Sequence, residues 1–148
     1  MVPTLNGRIQ TRIFLLLVVG VPWTLLITPF LPAKPGGTLG GLYQATFFVL
    51  GTVLVVGVVL WEPLYHGLMQ FRWEKDWPIC FSLLLSIPEG LLAYAIFKAV
   101  GPKTNPPSAG WAAFVLHFST VWLLVWLMSI GPMKVPFARW RFRGGRIL

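Results

Sequence analysis

One carboxylate, that of Glu89, stands near the middle of a long apolar run, LLLSIPEGLLAYAIF, which extends from Leu83 to Phe97. A charged group at the centre of a bilayer is costly, so acids in membrane spans usually face protein or water and take part in function. Burial disfavours the charged form, so we expect Glu89 to be neutral at rest. This position predicts either proton exchange or cation binding at Glu89. A neutral, hydrogen-bonded packing residue is the alternative.

Other polar groups lie at related depths when the spans are drawn as straight helices with a rise of about 1.5 Å per residue. Three threonines fall near the depth of Glu89: Thr24, Thr52 and Thr120. A protonated Glu89 could join them in a hydrogen-bonded layer, beside the backbone carbonyl that Pro88 leaves without a donor. His117 lies roughly 7–8 Å further along the bundle. A water-linked relay between Glu89 and His117 is therefore a further hypothesis.

Small residues form one stripe on the span that carries Glu89. At about 100° per residue, a wheel groups the following positions, with Glu89 on their edge: Ser82, Ser86, Gly90 and Ala93. Small side chains let neighbouring helices approach closely in membranes, so we expect this stripe to pack against protein. Pro88 removes a backbone donor and predicts a kink in the same helix.

Glu62 and His66 share the four-residue spacing that places two side chains on one helix face. Metal binding would need further ligands there, and His117 lies toward the opposite membrane surface. Pro63 predicts a new turn between Glu62 and His66. We therefore predict a salt bridge or hydrogen bond between them and no metal, haem or other cofactor.

Reaction motifs are missing from the sequence. Ser, His and Asp form no plausible catalytic triad, no Gly-rich phosphate loop follows a strand, and no acidic cluster has metal-binding spacing. The single cysteine, Cys80, excludes an internal disulfide and a CxxC motif. We therefore expect no catalytic residues and no enzyme activity.

The elements that must position these groups are membrane spans. Only 11% of the 148 residues are charged and 56% are hydrophobic, whereas ordinary soluble domains have about 25% charged residues. Four apolar segments reach the length of about 20 residues that a spanning helix needs: roughly 13–31, 42–61, 78–100 and 111–130. The first is longer than a signal-peptide core and lacks a cleavage site, so we interpret it as a retained span. The sequence predicts an all-α membrane protein with one domain of four transmembrane helices over 1–148.

The basic residues predict its orientation. Of the twelve, nine lie in the N-terminal flank, the middle loop and the tail 131–148, including Arg8 and Arg12. The other side has Lys34, Lys98 and Lys103. Because Lys and Arg are retained in the cytoplasm, we expect both termini to be cytoplasmic, in a bacterial plasma membrane.

Two segments combine arginine with aromatic residues. A short interfacial segment between the second and third spans carries Arg72, Trp73 and Trp77. In the tail, basic and aromatic side chains alternate before a glycine pair: Arg139, Trp140, Arg141, Phe142, Arg143 and then Arg146. An extended tail would place arginines against lipid phosphates and rings among acyl chains, so we predict binding to anionic lipid at the cytoplasmic face or to a partner. A pure topology signal is the alternative, and one RGGR is too weak a motif to predict nucleic-acid binding.

These features favour a non-catalytic accessory or scaffold subunit of a larger membrane complex, with other membrane protein subunits as partners. The missing reaction motifs and the small-residue stripe are the reasons. The alternative is a small homo-oligomeric transporter or channel that is coupled to protons through Glu89.

Overall fold

The computed structural model describes residues 4–71, 79–103, 107–137 and 146–147. In this part of the chain, four helices are long and apolar enough to cross a membrane: α1 Leu5–Phe30, α2 Leu39–Gln70, α3 Phe81–Val100 and α4 Trp111–Ile130. The prediction of an all-α chain with four such helices is confirmed. Two groups of predicted binding residues lie outside the described ranges, namely those of the interfacial segment and most of the tail: Arg72, Trp73, Trp77, Arg139, Trp140, Arg141, Phe142 and Arg143.

Helix α1 begins well before the apolar span that the sequence predicts. Thr4 caps it, because the threonine hydroxyl accepts a hydrogen bond from the Gly7 amide at 3.1 Å. Arg8 and Arg12 therefore lie on the first turns of the helix and not in an irregular flank. Their four-residue spacing places both guanidinium groups on the same side of α1.

Two segments of wide, π-helical turn occur in the bundle, Leu16–Gly20 in α1 and Gly57–Trp61 in α2. Each lies directly before a proline-containing turn, with Pro22 after the first and Pro63 after the second. Proline lacks an N–H and crowds the carbonyl four residues earlier, and a widened turn accommodates both effects. Helix α2 therefore continues to Gln70, which corrects the prediction that Pro63 starts a new turn.

Helix α3 and the two residues before it form two helical pieces, Ile79–Leu84 and Ser86–Val100. The two pieces meet at Leu85, one turn before Pro88. Because proline has no N–H, the sequence predicts that the carbonyl four residues before Pro88 has no backbone donor. The Glu89 amide still reaches the Leu85 carbonyl at 3.3 Å, so the chain remains helical across the break. The break lies in the turn that leads to Glu89.

The helices alternate in direction, so the bundle has two distinct ends. At the N-terminal end, defined by the start of α1, the indole of Trp126 on α4 donates to Ser82 on α3 at 2.9 Å. At the opposite end, defined here as the loop end, the amide of Lys34 donates to the carbonyl of Ser108 at 3.0 Å. Between the ends, a cluster of buried apolar residues holds all four helices together: Leu16, Val49, Leu50, Val53, Ala93, Phe114 and Val121.

Candidate functional site

A chain of ion pairs lies inside the N-terminal half of the bundle. Arg8 Nε donates to Glu62 Oε2 at 2.7 Å, and Arg12 Nη1 donates to Glu62 Oε1 at 3.0 Å. The other terminal nitrogen of Arg12, Nη2, donates to Oε2 of Glu89. Arg12 on α1 therefore connects a carboxylate of α2 to the carboxylate of α3.

This network is deeply buried but contains equal numbers of positive and negative groups. The side chain of Glu89 is 3% exposed and that of Arg12 is 9% exposed. In a medium of low dielectric constant, burying such charges is tolerable only when they are paired and hydrogen-bonded. Loss of one partner would leave an uncompensated charge, so each group depends on the others for its position.

Gly57 and Trp122 hold the Arg12 guanidinium from two sides. A Cβ atom at Gly57 would lie 2.7 Å from Arg12 Nη1, so glycine leaves the space that the guanidinium occupies. The Cζ atom of Arg12 lies 5.7 Å from the centre of the Trp122 ring, within the range of a cation–π interaction. The π-helical turn that begins at Gly57 thus brings bare backbone against the central cation of the network.

A cavity of about 300 Å³ adjoins the ion pairs. Residues of α1, α2 and α4 line it, together with Ser82 of α3. The charged residues Arg8, Arg12 and Glu62 line one part, and the rest is mainly aliphatic and aromatic. Glu89 lies beyond Arg12 and does not line the cavity, so Arg12 connects the buried acid to the open space.

His117 lines the same cavity toward the middle of the bundle. Its Nε2 lies 2.9 Å from the hydroxyl of Thr24, and both side chains are fully buried. Among the described residues, its Nδ1 finds no hydrogen-bond partner. The hydrogen-bonded groups continue toward the loop end, because Thr28 Oγ1 lies 3.0 Å from Thr46 Oγ1 and also donates to the Thr24 carbonyl at 2.6 Å.

The structure brings only part of the predicted polar layer together. Thr24 meets His117, but Thr52 donates to the carbonyl of Phe48 in its own helix at 2.8 Å. Thr120 accepts from the indole of Trp23 at 3.1 Å. The predicted hydrogen-bonded layer of Glu89 with three threonines is therefore wrong, because the guanidinium of Arg12 on α1 is bonded to Glu89 instead.

The predicted small-residue stripe lies on the interior side of α3. Ala93 is 3% exposed and belongs to the core. Gly90 packs against Phe118, since a Cβ atom at Gly90 would lie 2.8 Å from a ring carbon. Ser82 accepts the Trp126 hydrogen bond, Ser86 is half-buried, and Pro88 is exposed on the other side.

Glu62 and His66 do not pair, which corrects the predicted bond between them. Glu62 points into the bundle and accepts from two arginines, whereas His66 Nε2 lies 3.4 Å from the side-chain amide of Gln70. The two guanidinium groups on α1 form charge-assisted hydrogen bonds to the carboxylate of Glu62, and such bonds are stronger than those between neutral groups. In the ranges that the structure describes, no three His, Cys, Asp or Glu side chains come together as a possible metal site.

Sequence reasoning missed the roles of Arg8, Arg12 and Gly57. The available signal was the four-residue spacing of the two arginines, which would have placed them on one helix face. Gly57 has no comparable signal, since its role depends on the distance between α1 and α2. Of the predicted tail residues, Arg146 is described and exposed, and its neighbour Ile147 donates its amide to Gln10 Oε1 at 3.0 Å.

No protein-family model matches this chain, and no curated protein or solved structure is significantly similar to it. The contacts of the buried charges are therefore the basis for a functional proposal.

Proposed function

We propose that this chain is a small transporter or channel in which Glu89 exchanges a proton and Arg12 couples that exchange to the cavity. The observation that carries the proposal is the position of Arg12, which binds the buried carboxylate on one side and lines the cavity on the other. Intramembrane acids that face protein or water commonly serve as proton relays. A proton on Glu89 would weaken its bond to Arg12 and would leave this guanidinium, which lines the cavity, with only one of its two carboxylate partners.

The groups beyond the cavity support a proton path toward the loop end. His117 lines the large cavity and also a second pocket of about 10 Å³, which is close to the space that one water needs. Thr46 and Ala109 line this second pocket. Imidazole and hydroxyl groups can both donate and accept, so His117, Thr24 and Thr46 are suited to proton transfer with intervening water.

A specific observation also favours the second candidate, a non-catalytic accessory or scaffold subunit of a larger membrane complex. Only 17% of the apolar window of α3 is buried inside the chain, compared with 28–33% for the other three helices. The outer face of α3, with Ile87 and Leu91 exposed, is therefore available to another membrane protein subunit or to lipid. In this reading, the ion pairs serve only to hold α1, α2 and α3 in register.

Proton flux into liposomes distinguishes the two candidates. The purified chain is reconstituted with a pH-sensitive dye inside, and a potassium diffusion potential drives protons inward. We expect wild type and Glu89→Asp, which keeps an ionisable group, to carry protons. Glu89→Gln can still accept from Arg12 but cannot exchange a proton, so its flux should fall to that of protein-free liposomes. Leu91→Ala on the lipid-facing side is the control and should behave as wild type.

Equal flux in wild type and protein-free liposomes, or in wild type and Glu89→Gln, would overturn the transport proposal. Extraction of the native membrane in mild detergent tests the second candidate. A scaffold should purify in fixed stoichiometry with other membrane proteins, whereas a transporter should purify as one or more copies of this chain.

A further inference from the structure

We infer that the cavity binds a single-chain amphiphile with a compact anionic headgroup, a carboxylate or a phosphate, and that this is the substrate class of the transporter. The inference rests on the proposed function for the role of the ligand, but the binding site itself stands on separate observations. These are the charge on the cavity wall, the apolar character of the remaining lining, and the depth at which each lies.

The residues that line the cavity include more positive than negative groups, although the whole ion-pair network is neutral. Arg8, Arg12 and Glu62 line the cavity, whereas Glu89, the fourth charged group of the network, lies outside the lining. A ligand therefore meets two guanidinium groups and one carboxylate. Arg8 Nη1 is 3.1 Å from the sulfur of Met69, which is a weak acceptor, so a ligand oxygen would be a stronger partner for this donor.

The rest of the lining suits a hydrocarbon chain. Leu16, Leu50 and Val53 form one side, and Phe118, Val121 and Trp122 of α4 form the other. An inorganic anion would make no apolar contacts with these side chains. An acyl chain would contact them and would be stabilised by about 25 cal/mol for each Å² of apolar surface removed from water. The volume of about 300 Å³ is at the lower limit for small-molecule sites, which favours one chain over a two-chain lipid.

The order of these groups along the bundle fixes the orientation of the ligand. Gly7 and Arg8 lie near the start of α1, whereas Leu16 and His117 lie deeper. A headgroup at Arg8 and Arg12 would therefore sit near the N-terminal end, with its chain directed toward the middle of the bundle. This is also the orientation of a lipid in the leaflet next to that end.

The site links ligand binding to proton uptake through one shared donor. When a ligand carboxylate accepts the Arg12 bond, Glu89 loses its only guanidinium partner among the described residues. The freed carboxylate can then take one proton from water and become neutral. A bound anion would thus favour proton uptake at Glu89, and release of the ligand together with release of the proton to water would return Arg12 to a deprotonated Glu89.

Photolabelling of the full chain in nanodiscs of zwitterionic lipid tests this site. The probes are a fatty acid with a diazirine in its chain and the alcohol of the same length, and labelled residues are mapped by mass spectrometry. We expect the acid to label the cavity-lining residues Phe118, Val121 and Trp122 of α4 more strongly than exposed residues of α2, namely Leu60, Leu64 and Leu68. The alcohol should show no such preference. Arg8→Gln should lower cavity labelling by about tenfold, the effect of one charge-assisted hydrogen bond, and Arg8→Lys should retain part of it.

Val121→Trp, which fills the cavity, should abolish the preference, whereas Val59→Trp on the exposed face is the matched control. Equal labelling of the cavity and the lipid-facing residues, or equal labelling by acid and alcohol, would overturn the inference. Competition by inorganic phosphate at the concentration of the acid would also overturn it, since the site would then take a small anion. Labelling with no proton flux would refute the transport proposal alone, and flux with no labelling would refute this site alone.

Discussion

Replacing Gly57 with alanine tests the ion-pair network at its most constrained point. The new Cβ atom would lie 2.7 Å from Arg12 Nη1 and closer still to Nε, well inside van der Waals contact. The backbone of α2 is fixed by its own hydrogen bonds, whereas the arginine side chain is flexible. We therefore expect Arg12 to move away and to lose its bonds to Glu62 and Glu89.

The magnitude follows from two opposing contributions. Breaking a buried ion pair while leaving its charges in place costs about 3–5 kcal/mol. Alanine is favoured over glycine in a helix by about 1 kcal/mol. The net destabilisation expected for Gly57→Ala is therefore about 2–4 kcal/mol.

Unfolding in mixed micelles, followed by circular dichroism as the fraction of denaturing detergent rises, measures this difference. Gly51→Ala is the matched control, because it lies in the same helix and a Cβ atom there meets no atom within 4 Å. It should be neutral or slightly stabilising. In an Arg12→Ala background the clash is absent, so Gly57→Ala should then behave like Gly51→Ala. The reasoning fails if Gly57→Ala is as harmless as the control, or if its cost is unchanged in the Arg12→Ala background.

Three further predictions concern the charge network, the orientation and the tail. Glu89→Leu leaves Arg12 with one carboxylate and should lower the free energy of unfolding by about 3 kcal/mol. The double variant Glu89→Leu with Arg12→Met should recover most of this loss, and no recovery would show that the two residues act separately. Reporter fusions at both termini and at Met69 should report a cytoplasmic position, and a fusion at Asn105 should report an external position. A C-terminus on the opposite side of the membrane from the N-terminus would contradict the four-span arrangement. Replacing Trp140 and Phe142 by serine keeps every charge, and it should weaken binding of a tail peptide to anionic vesicles; unchanged affinity would leave the tail as a topology signal only.

The helices could be predicted from the sequence because their signal is local. Apolar runs of sufficient length identify the spans, and the fourth span was predicted with the observed bounds Trp111–Ile130. The ends of α1 and α2 were predicted less well, because polar residues there were interpreted as flanks. Thr4 and Pro63 show why: a cap and a widened turn let each helix extend beyond its apolar part.

The site could not be predicted in the same way, because it depends on how helices meet. The wheel indicates which side of α3 carries Glu89, but not which residue of α1 lies opposite it. Arg12 and Glu62 were each interpreted at a membrane surface, and the predicted partners of Glu89 were the nearest hydroxyl groups in depth. The observed partner is a long side chain that crosses from α1 over the bare backbone of Gly57, and no local pattern encodes that approach.

Charge balance in the network connects its structural and its proposed functional roles. With two arginines and two glutamates paired, the interior is neutral and α1, α2 and α3 are held together. If Glu89 takes a proton, one guanidinium loses its counter-charge inside a medium of low dielectric constant, which is strongly unfavourable. An anion in the cavity beside Arg12 would restore neutrality. The same ion pairs that oppose opening of the empty bundle would therefore make proton uptake more favourable when an anionic ligand is bound, and a network that served only packing would show no such effect.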